Sequence, residues 1–159
     1  MLIRIVCCGK LKEKYLIEAV ADYSKRISRF AQVECAEVPD ERIPENASPA
    51  EEKLAMEKEG ERMLQKIGPQ DYVIVMAIKG KSYTSETFAA HIDTLMQQGR
   101  SRLTFVIGGS LGLSDAVMRR ADETLSLSEM TFPHRIARVL ILEQVYRAFK
   151  INHNETYHK

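Results

Sequence analysis

The chain is predicted to be an α/β protein, a parallel sheet flanked by helices in a single domain spanning residues 1–159. Three observations predict it. Short apolar runs alternate with stretches of helical periodicity along the whole chain. Its 159 residues, 45% hydrophobic and 28% charged, have the size and composition of one globular domain with a real core. No internal repeat, low-complexity segment or interdomain linker interrupts the pattern.

In chain order, Leu2–Cys7 reads as a buried first strand, its apolar part too short for a signal peptide. Leu11–Phe30 carries Leu16, Ala19, Val20, Tyr23 and Ile27 at helical spacing. Val33–Val38 is a second, weaker strand in which apolar and acidic residues alternate. The charged loop Pro39–Asn46 leads to a helix capped by Ser48, with Pro49 at its first position and Glu51 completing a capping box. That helix runs to about Ile67, where Gly68-Pro69 ends it, and the charged 40–66 segment is expected to be a solvated face. Tyr72–Ile78 is a strongly apolar strand and Lys79-Gly80-Lys81 a turn. Ser85 caps a helix through Gln98, stopped by Gly99. Leu103–Ile107 is a buried strand, Ser114 or Asp115 opens a short helix to Arg120, and Thr124–Leu127 is a last short strand.

The final helix, Arg135 to Phe149, is expected to bury a stripe of Ile136, Val139, Leu140, Val145 and Phe149. Ala137, Ile141, Leu142 and Ala148 fill much of the remaining circumference. A helix apolar nearly all round is buried on more than one side, most simply against a dimer partner. Arg138 and Arg147 are then partly buried and paired with carboxylates such as Glu143.

Composition excludes several classes. No apolar run approaches membrane-spanning length. The three cysteines, Cys7, Cys8 and Cys35, are odd in number and make no disulfide framework, which fits a reducing cytosol; they read as small buried strand residues. His91, His134, His153 and His158 show no metal-site spacing, and no Gly-x-Ser-x-Gly elbow marks a nucleophilic serine. The net charge is +1, but residues 1–99 balance to −2 and residues 100–159 to +3. The basic excess in the last third suits a polyanionic substrate.

Two loops in that third could hold a ligand. Ile107-Gly108-Gly109-Ser110-Leu111-Gly112-Leu113 follows a strand end, the place where open α/β sheets bind ligands, and its glycines let a ligand approach the backbone. It has neither the dinucleotide spacing nor a following Gly-Lys-Ser/Thr, and taken alone it reads more readily as a structural turn. Ser126-Leu127-Ser128-Glu129-Met130-Thr131-Phe132-Pro133-His134 mixes hydroxyls with apolar surface, a combination able to wrap an adenine ring. In the polar tail, Tyr157 and His158 are of types that stack on bases and contact phosphates, and His134 and His158 are candidates for proton transfer.

These stretches, with Arg138-Val139, Glu143-Gln144-x-Tyr146-Arg147-Ala148, the terminal Tyr157-His158, and Gly9-Lys10-Leu11-Lys12 and Glu37-Val38-Pro39-Asp40 near the start, closely resemble the RlmH family across essentially the whole chain. That family comprises bacterial large-subunit ribosomal RNA pseudouridine methyltransferases of the SPOUT class. The resemblance implies a SPOUT-type sheet with a C-terminal trefoil knot over about residues 103–150, against the general rule that chains are unknotted. It implies a cytoplasmic homodimer that binds no metal and methylates the ring nitrogen at position 3 of a pseudouridine in 23S rRNA of the assembled ribosome. It implies S-adenosyl-L-methionine as cofactor, with contacts at Met76, Gly108, Leu127, Ser128, Glu129, Met130, Thr131 and Phe132.

The ring nitrogen must lose its proton, so His134, Arg138, Tyr157 and His158 are the candidates for substrate positioning and proton handling. A knotted methyltransferase acting on transfer RNA, a ribosome-binding factor without activity and a generic nucleotide-binding protein are the competing readings.

Overall fold

The computed structural model describes residues 1–159. Five strands, β1 (Leu2–Cys8), β2 (Gln32–Val38), β3 (Tyr72–Ser82), β4 (Arg102–Ile107) and β5 (Glu123–Ser126), alternate with five helices. The helices are α1 (Lys14–Ile27), α2 (Pro49–Gln65), α3 (Ser85–Gln97), α4 (Asp115–Arg120) and α5 (His134–Asn152). All strand pairs are parallel, in the sheet order β2-β1-β4-β3-β5.

Successive side chains of a strand point to opposite faces, and here both faces are apolar because crossover helices cover both. On one face Ile3, Ile5, Ile74, Leu103 and Phe105 pack with Ile27 of α1, Phe88 and Ile92 of α3, and Ile141, Val145 and Phe149 of α5. On the other Val6, Cys8, Val73, Val75 and Val106 pack with Met63 of α2 and Val117 of α4.

Several expectations change in three dimensions. Lys79-Gly80-Lys81 is not a turn out of the sheet but part of a long, interrupted β3. Thr84, not Ser85, caps α3: its hydroxyl accepts from the Thr87 N–H, while Ser85 Oγ donates to Gln144 Oε1 at 2.8 Å. α1 starts at Lys14, leaving Leu11–Glu13 extended, because Leu11 is buried and its N–H is held by Glu37. The Ser48–Glu51 capping box is present, but α2 is not simply a solvated face, since Ala55, Glu59, Gly60 and Met63 are buried. Cys35 is exposed on β2, which lies at the sheet edge.

The stripe of α5 is also rotated from the expected one. Ala137, Arg138, Ile141, Leu142, Val145, Tyr146, Ala148 and Phe149 are buried, whereas Ile136 is 39% exposed and Val139 and Leu140 are only half-buried. Apolar content on both sides of the helix hid which face the sheet takes. Arg147 does pair with Glu143, but Arg138 turns inward to Glu37.

One irregularity shapes the candidate site. β3 pairs with β5 through Met76↔Leu125, then again through Lys81↔Leu125 and Ser82↔Ser126. Leu125 therefore meets β3 twice, and residues 77–80 bulge away between the two pairings. Gly80 is required there: a Cβ would lie 2.7 Å from the Leu125 backbone N and C atoms.

Candidate active site

A cavity of about 840 Å³ opens at the carboxyl ends of β3, β4 and β5. Its walls are the β3 bulge from Met76 to Lys79, the β4 loop with Gly108, Gly109 and Ser110, and the β5 loop from Leu127 to His134 without Glu129. Seven of the eight residues expected to contact a cofactor thus line one cavity, and His134 lines it with them. Glu129 lies on the same loop but outside the wall.

Both loops are built by local hydrogen bonds. Gly112 N–H donates to the Gly109 carbonyl at 3.1 Å and closes the first. In the second, Ser126 Oγ donates to the Ser128 carbonyl and Met130 N–H donates to Ser128 Oγ, each at 3.0 Å. Ala77, Ile78, Met118 and Ala137 also line the cavity and lie outside the loops that the sequence marks. The only advance signal for the first two was the Lys79-Gly80-Lys81 interruption.

The chemistry of this wall fits an adenosine-bearing cofactor. The volume lies within the roughly 300–1,000 Å³ of small-ligand sites. Met76, Ile107, Leu127 and Phe132 supply apolar surface, glycine backbone lies open beside them, and the only ionisable side chains in the wall are Lys79 and His134. Met130 is 74% exposed at the rim. A smaller cavity of about 310 Å³ shares Leu125, Leu127 and Phe132 and extends between the first turn of α3 and Leu140 and Gln144 of α5.

The four candidates for proton handling do not converge within one chain. His134 stands at the cavity, where burial first, then Arg135 and Arg138, hold its imidazole below its ordinary 6.5. Arg138, 1% exposed, lies outside the wall: Nη1 donates to Glu37 Oε2 at 2.8 Å and Nη2 to the Gly9 carbonyl at 3.3 Å. Tyr157 and His158 are docked farther along α5. Tyr157 OH donates to Glu143 Oε1 at 3.1 Å. Arg147 can only donate, so its 3.1 Å contact makes His158 Nδ1 the acceptor, and His158 Nε2–H donates to Glu86 at 2.8 Å. Burial, then Glu143, pushes the Tyr157 hydroxyl up to about 12. Glu143 and Arg147 lie roughly 13–20 Å along the helix axis from His134, at 1.5 Å per residue.

Burial also pushes the Cys7 and Cys8 thiols up to about 12, which leaves both as unreactive packing groups. No group of three or more His, Cys, Asp and Glu side chains is placed to hold a metal ion, and no helix is long and apolar enough to cross a membrane.

Solved structures share this architecture. A probable methyltransferase from Bordetella pertussis superposes with a TM-score of 0.54 at 14% identity, over 92% of this chain and 95% of its own. A tRNA methyltransferase from Aquifex aeolicus superposes with a TM-score of 0.55 at 13% identity, over 91% of this chain and 69% of its own. At such identities the likeness is one of fold.

An all-parallel sheet of this order, with a cofactor-sized cavity between two loops at its strand ends, defines a small α/β protein able to hold a small ligand. The chain belongs to the SPOUT methyltransferase family: residues 1–158 match the family described as "Predicted SPOUT methyltransferase". Within it, the chain is 55% identical over 159 residues, all of both chains, to the proteins named Ribosomal RNA large subunit methyltransferase H from Exiguobacterium sp. and Bacillus thuringiensis.

Proposed function

We propose that the chain transfers a methyl group from S-adenosylmethionine to the ring nitrogen at position 3 of a pseudouridine in 23S rRNA of the assembled ribosome, working as a cytoplasmic homodimer. The observation that carries the reading is the single cavity lined by Met76, Gly108, Leu127, Ser128, Met130, Thr131 and Phe132. Full-length relatives at 55% identity named for ribosomal RNA methylation support the substrate class. The SPOUT family match over residues 1–158 supports a knotted path for about residues 103–150.

S-adenosylmethionine supplies, when bound, a methyl group activated by its sulfonium. The chain's own residues do the rest. Leu127, Met130 and Phe132 exclude water from the cavity, and the backbone of 108–110 and 128–131 orients a ring edge within it. His134, neutral near neutral pH because its pKa is lowered, accepts the proton that the attacking ring nitrogen must shed. Arg138 serves as a positioning residue, since it holds Gly9, where a Cβ would lie 3.9 Å from His134 Nε2.

Tyr157 and His158 lie too far along α5 to reach their own cavity, so they serve a pocket across the dimer interface. That interface uses Ile136 and Leu140, the outward apolar residues of α5.

The test uses ribosomes from a strain lacking the modification. Incubation with the protein and isotopically labelled cofactor is expected to place one methyl on a pseudouridine, read by mass analysis of 23S rRNA. Transfer to tRNA instead, or no cofactor binding by calorimetry, overturns the reading. Removing Tyr157–Lys159 is expected to abolish transfer and spare cofactor binding; intact methylation sinks the role of the tail.

A further inference from the structure

The segment between β1 and α1 is held with unusual care for an exposed loop. Gly9 turns off the strand at φ +85, a left-handed conformation suited to glycine, and its N–H donates to the Val38 carbonyl at 2.8 Å. Its carbonyl accepts from Arg138, and Leu11 N–H donates to Glu37 Oε2 at 2.9 Å. With Leu11 buried, Lys10 and Lys12 are left facing solvent on either side of it, and neither is in an ion pair. Glu13 then accepts from Arg135 Nη1 at 2.6 Å, which joins the start of α1 to the start of α5 beside His134.

Those two helix starts differ from the other three. α2, α3 and α4 each have a capping hydroxyl and an acid in the first turn. α1 and α5 have no side-chain cap and no first-turn acid; Lys14 and Arg135 stand in their first turns, and Glu13 occupies the N-cap position of α1. Cations at a helix N-terminus repel the positive end of its dipole, so both starts favour an external anion. Two further observations point to a ligand. Arg138 is 1% exposed beneath this segment, yet its Nε has no hydrogen-bond partner. Tyr15, 67% exposed on the first turn of α1, presents a bare aromatic ring among the lysines. The nearby carboxylates Glu13 and Glu37 are each paired with an arginine, Glu18 lies 3.9 Å from Lys14, and Asp40 and Glu59 are the remaining acids close to His134.

We propose that Lys10, Lys12, Lys14 and the first turn of α5 form a phosphate cradle for the RNA backbone flanking the target nucleotide, with Tyr15 as a stacking platform at its edge. The cradle rests on the reading of the chain as an RNA methyltransferase. Lysines supply point charges for successive phosphates, and aromatic rings stack on unpaired bases irrespective of sequence. Because the cradle adjoins His134, it aligns the strand whose base enters the cavity.

The experiment compares the full-length protein with the double variant Lys10→Glu, Lys12→Glu, binding unmodified ribosomes from 50 to 200 mM salt. The slope of log affinity against log salt is expected to fall in magnitude by about 0.7 to 0.9 for each phosphate that is no longer neutralised. At low salt the affinity drops on the order of ten-fold, the KM for ribosomes rises in step, and kcat and cofactor affinity by calorimetry hold. Lys10→Arg, Lys12→Arg is expected to restore binding. The reversals Lys53→Glu and Lys58→Glu, on the exposed side of α2, are expected to leave the slope alone. An unchanged slope for the Lys10, Lys12 variant overturns the cradle, as does loss of its cofactor binding. If the unaltered protein binds ribosomes with the expected slope but transfers no methyl, the enzymatic reading fails while the cradle stands.

Discussion

Arg138 donates from Nη1 to Glu37 Oε2 at 2.8 Å, a link that spans 101 positions of sequence and joins α5 to the edge strand β2. Burial would raise the Glu37 carboxyl, but Arg138, the Leu11 amide and Lys10 together hold it below its ordinary 4.5. A carboxyl lowered in the fold stabilises above its unfolded pKa, and that contribution is lost as pH falls through the lower folded value. Glu37→Ala leaves the guanidinium buried with the Gly9 carbonyl as its remaining partner. It is expected to cost about 3 kcal/mol in urea unfolding at neutral pH, near the low end for a broken buried pair because Glu37 is 34% exposed. A loss below about 0.5 kcal/mol contradicts this account of the pair.

His134 is expected to set the acidic limb of the methylation rate. Its pKa is lowered by burial, then by Arg135 and Arg138, so the neutral form persists below pH 6.5 and activity falls only when pH drops through that lowered value. Arg135→Gln removes one of the lowering charges and should move the limb upward. His134→Gln should lower kcat by roughly 10²–10⁴ and remove the limb. A His134→Gln enzyme with the limb intact assigns proton transfer to another group.

Gly80→Ala tests the double pairing of Leu125. Its methyl group would meet main chain at 2.7 Å rather than a movable side chain, so β3 or β5 must shift. The expected cost is about 3 kcal/mol, the upper part of the range for overpacking, with weaker cofactor binding because the Leu127–Phe132 loop follows β5 directly. Melting and calorimetry that match the unsubstituted protein rule out such a tight passage.

Ile136→Asp tests the outward face of α5. Ile136 sits near the exposed Met130 and Phe132 in sequence but outside the buried stripe of its helix. Sedimentation is expected to show a dimer for the unsubstituted chain and a monomer for the variant, since a buried unpaired carboxylate is costly. A variant that stays dimeric places the interface elsewhere.

The alternation of strands and helices, the Ser48–Glu51 capping box and the strand ends from which ligand loops spring were all legible in the sequence. These depend on local chemistry: side-chain period, cap residues and glycine. The sequence also carried the motif set that leads to seven of the residues lining the cavity. Folding in three dimensions settled what depends on partners distant in the chain. Apolar residues on both sides of α5 do not reveal which face meets the sheet, so the periodicity puts Ile136 and Leu140 inside and Arg138 toward Glu143. The β3 interruption read as a turn because its second half is held by Leu125, more than forty positions later. The tail of Tyr157 and His158, polar enough to read as free, is pinned by Glu143, Arg147 and Glu86. Hydrophobic period is a local signal, whereas the partner of a buried charge or of an interrupted strand is known only once the chain has folded back on itself.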